Sequence, residues 1–159
     1  MGEDRFRPPS SHVEDPRRGK GSAVKGVVLG LLADLGGTML FGIVVSIAYG
    51  IALTAAGRSA EEVGSFLAQP EGDPLLSAIL IGGGVLSSVL GGFVCERIAR
   101  QGTYKLAVVL SALSLAAGFA MGMPAYSWAM QALLIFLTVG SIFLGTRLAF
   151  QDAAVRVEP

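Results

Sequence analysis

Apolar residues in this chain gather into four long runs, and the charges are left between and outside them. The runs are 26–56, 75–95, 106–123 and 126–146. None alternates apolar with polar residues, so strands, including transmembrane strands of about 10 residues, do not fit. A helix needs about 20 residues to cross the hydrocarbon core of a bilayer. The third run is the shortest and is completed by Tyr104 and by Lys105, whose long side chain can snorkel. The pattern predicts an all-α membrane protein: a four-helix transmembrane bundle with spans at about 30–56, 75–95, 104–123 and 126–146. Residues 1–25 are polar, carry Pro8, Pro9 and Pro16, and have little to bury, which predicts a disordered basic tail. The apolar segment that follows is too long for the core of a signal peptide. Residues 149–159 read as a second polar tail.

The connection between the first two runs adds one element. Ser59 and Glu62 have capping-box spacing, and Val63, Phe66 and Leu67 share a helical face. A short interfacial helix ending near Pro70 is expected there. Glu61, Glu62, Glu71 and Asp73 make this connection acidic, the composition of a solvated cap.

Charge then orients the bundle. Of 12 Lys and Arg, eleven fall in the tails and the second connection (Arg97, Arg100, Lys105), and Arg58 alone falls in the first. The positive-inside rule puts both termini in the cytoplasm, the short helix on the extracytoplasmic side, and Tyr126 and Trp128 at the outer interface. The location expected is a bacterial inner membrane. The basic cluster Arg17, Arg18, Lys20 and Lys25 reads as a topology signal before a lipid-surface sensor.

Helices in lipid associate where small residues let backbones approach. The chain has 22 Gly. In the first span small or polar residues recur every fourth position: Gly26, Gly30, Asp34, Thr38, Gly42, Ser46, Gly50 and Thr54. Such a row drifts by about 40° per step, so its two halves should meet different neighbours. The second span carries the rows Gly83–Ser87–Gly91 and Gly84–Ser88–Gly92, and the third carries Gly118. Spans one and two are therefore expected at the centre of the bundle. The triplet Gly82–Gly84 marks a locally soft helix.

Candidate chemistry is sparse. Asp34 is the one carboxylate in a run otherwise free of charge. Counted back about 20 residues from Arg58, the inner boundary falls near Gly36, which sets Asp34 at the cytoplasmic interface beside Glu96, Arg97 and Arg147. An inner-mouth ion pair of Asp34 with Arg97 or Arg147 is the expectation, and an ion- or proton-coupled role is the alternative. Cys95 is the sole cysteine and reads as a packing residue. His12 is the sole histidine, so neither a metal site nor a Ser–His–Asp set can be assembled. No cofactor, no nucleic-acid partner and no enzymatic activity are expected. The expected partners are the lipid bilayer and either a second copy or another membrane protein.

The stretches GLLADLGGTML, AAGRSAEE and LGGFVCERIARQG resemble uncharacterised four-span bacterial membrane proteins. That resemblance implies a four-helix integral protein over most of residues 26–148 and assigns no activity. Small multidrug transporters also have four spans and an acid in the first, but there it is a deep Glu in a shorter chain without this tail. Two functions follow: a non-enzymatic protein acting through helix packing, or a small transporter using Asp34. A path reaching Asp34 from the outer face, lined by Gly82–Gly84, Ser87 and Ser88, would separate them.

Overall fold

The computed structural model describes residues 21–68, 73–123 and 126–155. Among them all regular structure is helical, in five helices: α1 (Ala23–Ala55), α2 (Ala60–Ala68), α3 (Pro74–Ala99), α4 (Lys105–Ala120) and α5 (Trp128–Val155). By length and composition α1, α3 and α5 are long and apolar enough to cross a membrane, and α4 is a shorter apolar helix. Residues 1–20 of the predicted tail lie outside the described residues, as do Pro70 and Glu71; its last residues, Ala23–Lys25, are not disordered but form the first turn of α1, capped by Ser22.

Local signals account for the helix ends. Ser59 and Glu62 form the reciprocal box: the Ser59 N–H donates to Glu62 Oε2 at 3.0 Å and the Glu62 N–H to Ser59 Oγ at 3.3 Å. Asp73 caps α3 by accepting the N–H groups of Leu75 and Leu76 at 2.9 and 3.2 Å, with Pro74 in the first turn, where its missing donor costs nothing. The other end of α3 stops at Arg100, which takes the left-handed conformation (φ 49°). Helix α5 does not stop at Thr146. Ala149 is buried and Phe150 meets the Tyr104 ring edge-on, 5.2 Å between centroids, so packing carries the helix to Val155 across what reads as a tail.

Helix α3 is the centre. On one side α1 runs antiparallel to it: Gly26 meets Cys95 and Ala99, Gly30 meets Gly91 and Cys95, Gly37 meets Ser87, Phe41 covers Gly83, and Tyr49 reaches Asp73. On the other side α5 runs parallel, from Ser127 and Met130 beside Ser77 to Asp152 beside Arg97, and the two cross closely where Gly92 meets the Ile142 carbonyl and Gly145 that of Val89. Span one is not central as expected. Its second α-helical segment, Gly37–Ala55, buries no residue: one face is half-buried against α3 and α2, and Met39, Leu40, Ile43, Val44, Ile47 and Ile51 are left exposed. The two halves of its small-residue row do part company. Gly26 and Gly30 meet α3, and Gly50 lies under Val63 and Leu67 of α2.

The bundle has unlike ends. At the base, where Gly21 and Ala99 meet, Cys95, Ala99, Leu106, Ala107, Leu110 and Ile142 form a packed core. At the cap, α2 lies over the end of α1. The backbone contacts at Gly92 and Gly145 generate a prediction. Alanine at either would drive a methyl into a neighbouring carbonyl, and overpacking of this kind costs about 1–3 kcal/mol. Gly92→Ala and Gly145→Ala should each lower the thermal midpoint in mild detergent. Gly36→Ala and Gly140→Ala, where nothing lies within 4 Å, should leave it unchanged or slightly higher.

Candidate functional site

One turn of α1 departs from α-geometry. Residues Leu32–Gly36 form a π-helical turn with Asp34 at its centre, a deviation that concentrates at functional sites. On its approach to the turn the row of small residues faces α3. Past it the row splits: Gly37 meets Ser87, while Thr38 looks into open space between the helices. Nothing in the stretch LADLG announces this turn.

Asp34 is 3% exposed. Ser88 Oγ of α3 donates to its Oδ1 at 2.7 Å, and Ser114 Oγ of α4 donates to its Oδ2 at 2.5 Å. One carboxylate thus joins three helices. Gly91 makes this possible, because a Cβ there would lie 2.8 Å from Asp34 Cβ. With both hydroxyls donating, the carboxylate is a pure acceptor.

The expected inner-mouth ion pair is not the one formed. Arg97 lies 3.8 Å from Asp152 and over the Phe93 ring, Arg147 is exposed, and no described Lys or Arg pairs with Asp34. The reason is depth. Ser88 stands midway along α3, about 16 Å from its base end and 21 Å from its cap end at the usual rise. The count from Arg58 assumed that the surplus length of α1 protrudes at the base. Tyr49 is instead level with Asp73, so the surplus overhangs at the cap, where α2 covers it.

Asp34, Ser88 and Ser114 form the floor of a cavity of about 700 Å³. Gly84 and Gly118 line its walls, and its lining extends to Met121 and Tyr126 at the cap end. Its remaining lining is mostly aliphatic, so the carboxylate is its single described acid. The Gly-rich part of α3 therefore has two faces. Gly83 and Ser87 are dry against α1, whereas Gly84 and Ser88, one position on, face the cavity. A Cβ added at Gly82 or Gly42 would meet nothing within 4 Å, one at Gly118 would lie 3.7 Å from Met123 Sδ, and Ser46 is half-buried.

Glu96 does not join Asp34. It is buried near the base end of α3, where its Oε1 accepts the Gly102 N–H at 2.7 Å. Ser114, the third member of the clamp, is visible in sequence only as one polar residue within an apolar run. No known protein family, curated protein or solved structure matches this chain.

At the cap end the Tyr49 hydroxyl donates to Asp73 Oδ2. That bond, with the N–H groups of Leu76 and Leu75, holds the Asp73 carboxyl below its ordinary value of 3.8. A carboxyl depressed in the folded state adds stability above its unfolded value and loses it as pH falls through the folded one. Two predictions follow from this geometry. Tyr49→Phe should destabilise the protein at neutral pH, and the difference from wild type should vanish as the pH is taken below 3.8, read by thermal melts across pH. Ser114→Ala should cost about 1.5–3 kcal/mol, the range for a buried bond to a charged acceptor, read by denaturation in detergent.

Proposed function

We propose that this chain is a four-span integral membrane protein that carries protons through Asp34, coupled to a solute taken up in the cavity. The spans are α1, α3, α4 and α5. Helix α4 has 16 residues, and Tyr104 with snorkelling Lys105 extends its reach. The distribution of Lys and Arg supports cytoplasmic termini, which makes the base the cytoplasmic end and the cap the outer one.

One observation carries the reading: a half-open cavity, lined up to the cap end, ends on a carboxylate halfway through the bundle, held by two hydroxyls and by no described cation. A carboxylate at mid-membrane depth is costly, and such residues mark ion and proton pathways. No described base neutralises this acid, which leaves the cavity as the route by which a compensating proton or cation reaches it. The packing interpretation draws on Gly83, Ser87 and Gly91, which are dry, but it leaves Gly84, Ser88 and Gly118 facing empty volume.

The test uses the full chain in liposomes loaded with a pH dye, given an acid step outside with the membrane potential clamped. Wild type should acidify the lumen, and Asp34→Asn, which keeps both serine contacts within reach, should not. Thr38→Cys, on the cavity wall, should react with a membrane-impermeant thiol reagent applied from the cap side, whereas native Cys95, buried at the base, should stay inert. An unreactive Thr38→Cys together with full flux in Asp34→Asn would return the packing interpretation.

A further inference from the structure

Buried polar side-chain atoms without a hydrogen-bond partner are rare and call for an explanation. Among the described residues three occur: Glu96 Oε2, Ser111 Oγ and Thr103 Oγ1. All three lie on the base side of Asp34, in the half of the bundle that the cavity does not enter. Glu96 is 4% exposed and Ser111 is 5% exposed. Neither takes part in the clamp around Asp34.

Their spacing has an order. On α3, Ser88, Gly92 and Glu96 stand at i, i+4 and i+8 and are all buried, so Glu96 lies about 12 Å below Ser88 at the usual rise. The level between them is filled from α5. Thr146 is 1% exposed, and its hydroxyl lies 3.5 Å from the Gly92 carbonyl while bonding to that of Ile142 at 3.0 Å. On α4, Ser111 lies about 4.5 Å below Ser114. Two buried hydroxyls, on two helices, therefore occupy the stretch between the carboxylate of the cavity floor and the carboxylate near the base.

We infer that Glu96 is the inner proton acceptor of this protein, and that Thr146 and Ser111 lead protons to it from Asp34. The inference rests on the transport reading of Asp34. Ser111 and Thr146 are hydrogen-bonded neither to each other nor to either carboxylate, so the transfer runs through intervening water: the neutral Asp34 carboxyl gives its proton to a bridging water, which passes its own proton onward by way of these hydroxyls. The relaying hydroxyls end neutral, Asp34 returns to carboxylate, and Glu96 Oε2 gains the proton before releasing it at the base. Glu96 Oε1 stays tied to the Gly102 N–H throughout, so the loop after α3 need not move. Among the described residues no charge competes for the acceptor. Arg97 is turned to Asp152 and Phe93, Lys25, Arg100, Lys105 and Arg147 are exposed, and none forms an ion pair with Glu96.

The deciding variant is Glu96→Gln. Gln keeps the oxygen that accepts the Gly102 N–H and the side-chain volume, so a merely structural Glu96 would tolerate it. A proton acceptor would not. In the liposome assay, Glu96→Gln should lower proton flux by about tenfold or more, the low end for losing a positioned acid–base group, and Glu96→Asp should recover part of it. Labelling of Asp34 by an apolar carbodiimide, which attacks protonated carboxyls, should be the same in Glu96→Gln as in wild type, because the outer leg is intact. Full flux in Glu96→Gln, with Asp34→Asn still blocked, overturns this inference and leaves the transport reading standing. No flux in wild type overturns both. Should Glu96→Gln fail to assemble, Thr146→Val combined with Ser111→Ala must slow flux severalfold, and unchanged flux there sinks the proposal.

Discussion

A carboxylate shared by three helices organises this molecule. Asp34 receives one hydroxyl from α3 and one from α4, and the turn that presents it is the single departure from α-geometry within the long helix α1. Without a cation in the set, the hydroxyls are the only described groups that offset the loss of hydration around a buried acid. The surrounding glycines follow from this requirement. A side chain at Gly91 would push the carboxylate away from Ser88, and one at Gly30 would meet the Gly91 carbonyl, so the small residues bring α1 close enough for the hydroxyls to reach.

The same clamp separates the two ends of the bundle. Toward the base, backbone contact at Gly26, Gly92 and Gly145 draws α1, α3 and α5 around a dry core. Toward the cap, Gly84 and Gly118 face each other's helices without filling the gap, and no larger side chain replaces them. Glycine thus does opposite things in adjacent turns of α3. At Gly83 it admits the Phe41 ring, and at Gly84 it leaves space. One position along a helix turns a residue by about 100°, enough to pass from a packed face to an open one.

Much of this was legible from residue order alone. Run lengths gave the helices, the Ser59–Glu62 spacing gave α2 its start, and the fourfold row in span one did meet two different neighbours. Depth was not legible. The sequence marks where apolar residues end, but which end of a long helix overhangs is decided by a distant pair, Tyr49 with Asp73, and by the cover that α2 gives Gly50. Moving that overhang from base to cap carries Asp34 from the charged rim to the middle. It also frees Arg97 for Asp152, a partner on a stretch of α5 that composition presents as tail. The π-turn and the role of Ser114 were hidden for a related reason. Both depend on which residue of a uniform apolar helix faces which neighbour, and no local signal encodes that.

On the transport reading, a packed core beneath an open cavity constrains what can cross. A hydrated or bare ion needs a continuous series of coordinating groups, and the base half offers a core of Leu106, Leu110, Ile142 and Cys95 instead. A proton needs less, since it moves by exchanging hydrogen bonds along groups that both donate and accept. Hydroxyls are the smallest such groups and fit within tight helix contacts, as Thr146 does against Gly92. The core and the buried hydroxyls are therefore compatible in one structure: on that reading apolar packing would keep ions out of the base half, while the few polar atoms inside it are groups that both donate and accept. On the transport reading, a solute held in the cavity and a proton leaving toward the base would part at Asp34, which is where a single carboxylate can bind one only by releasing the other.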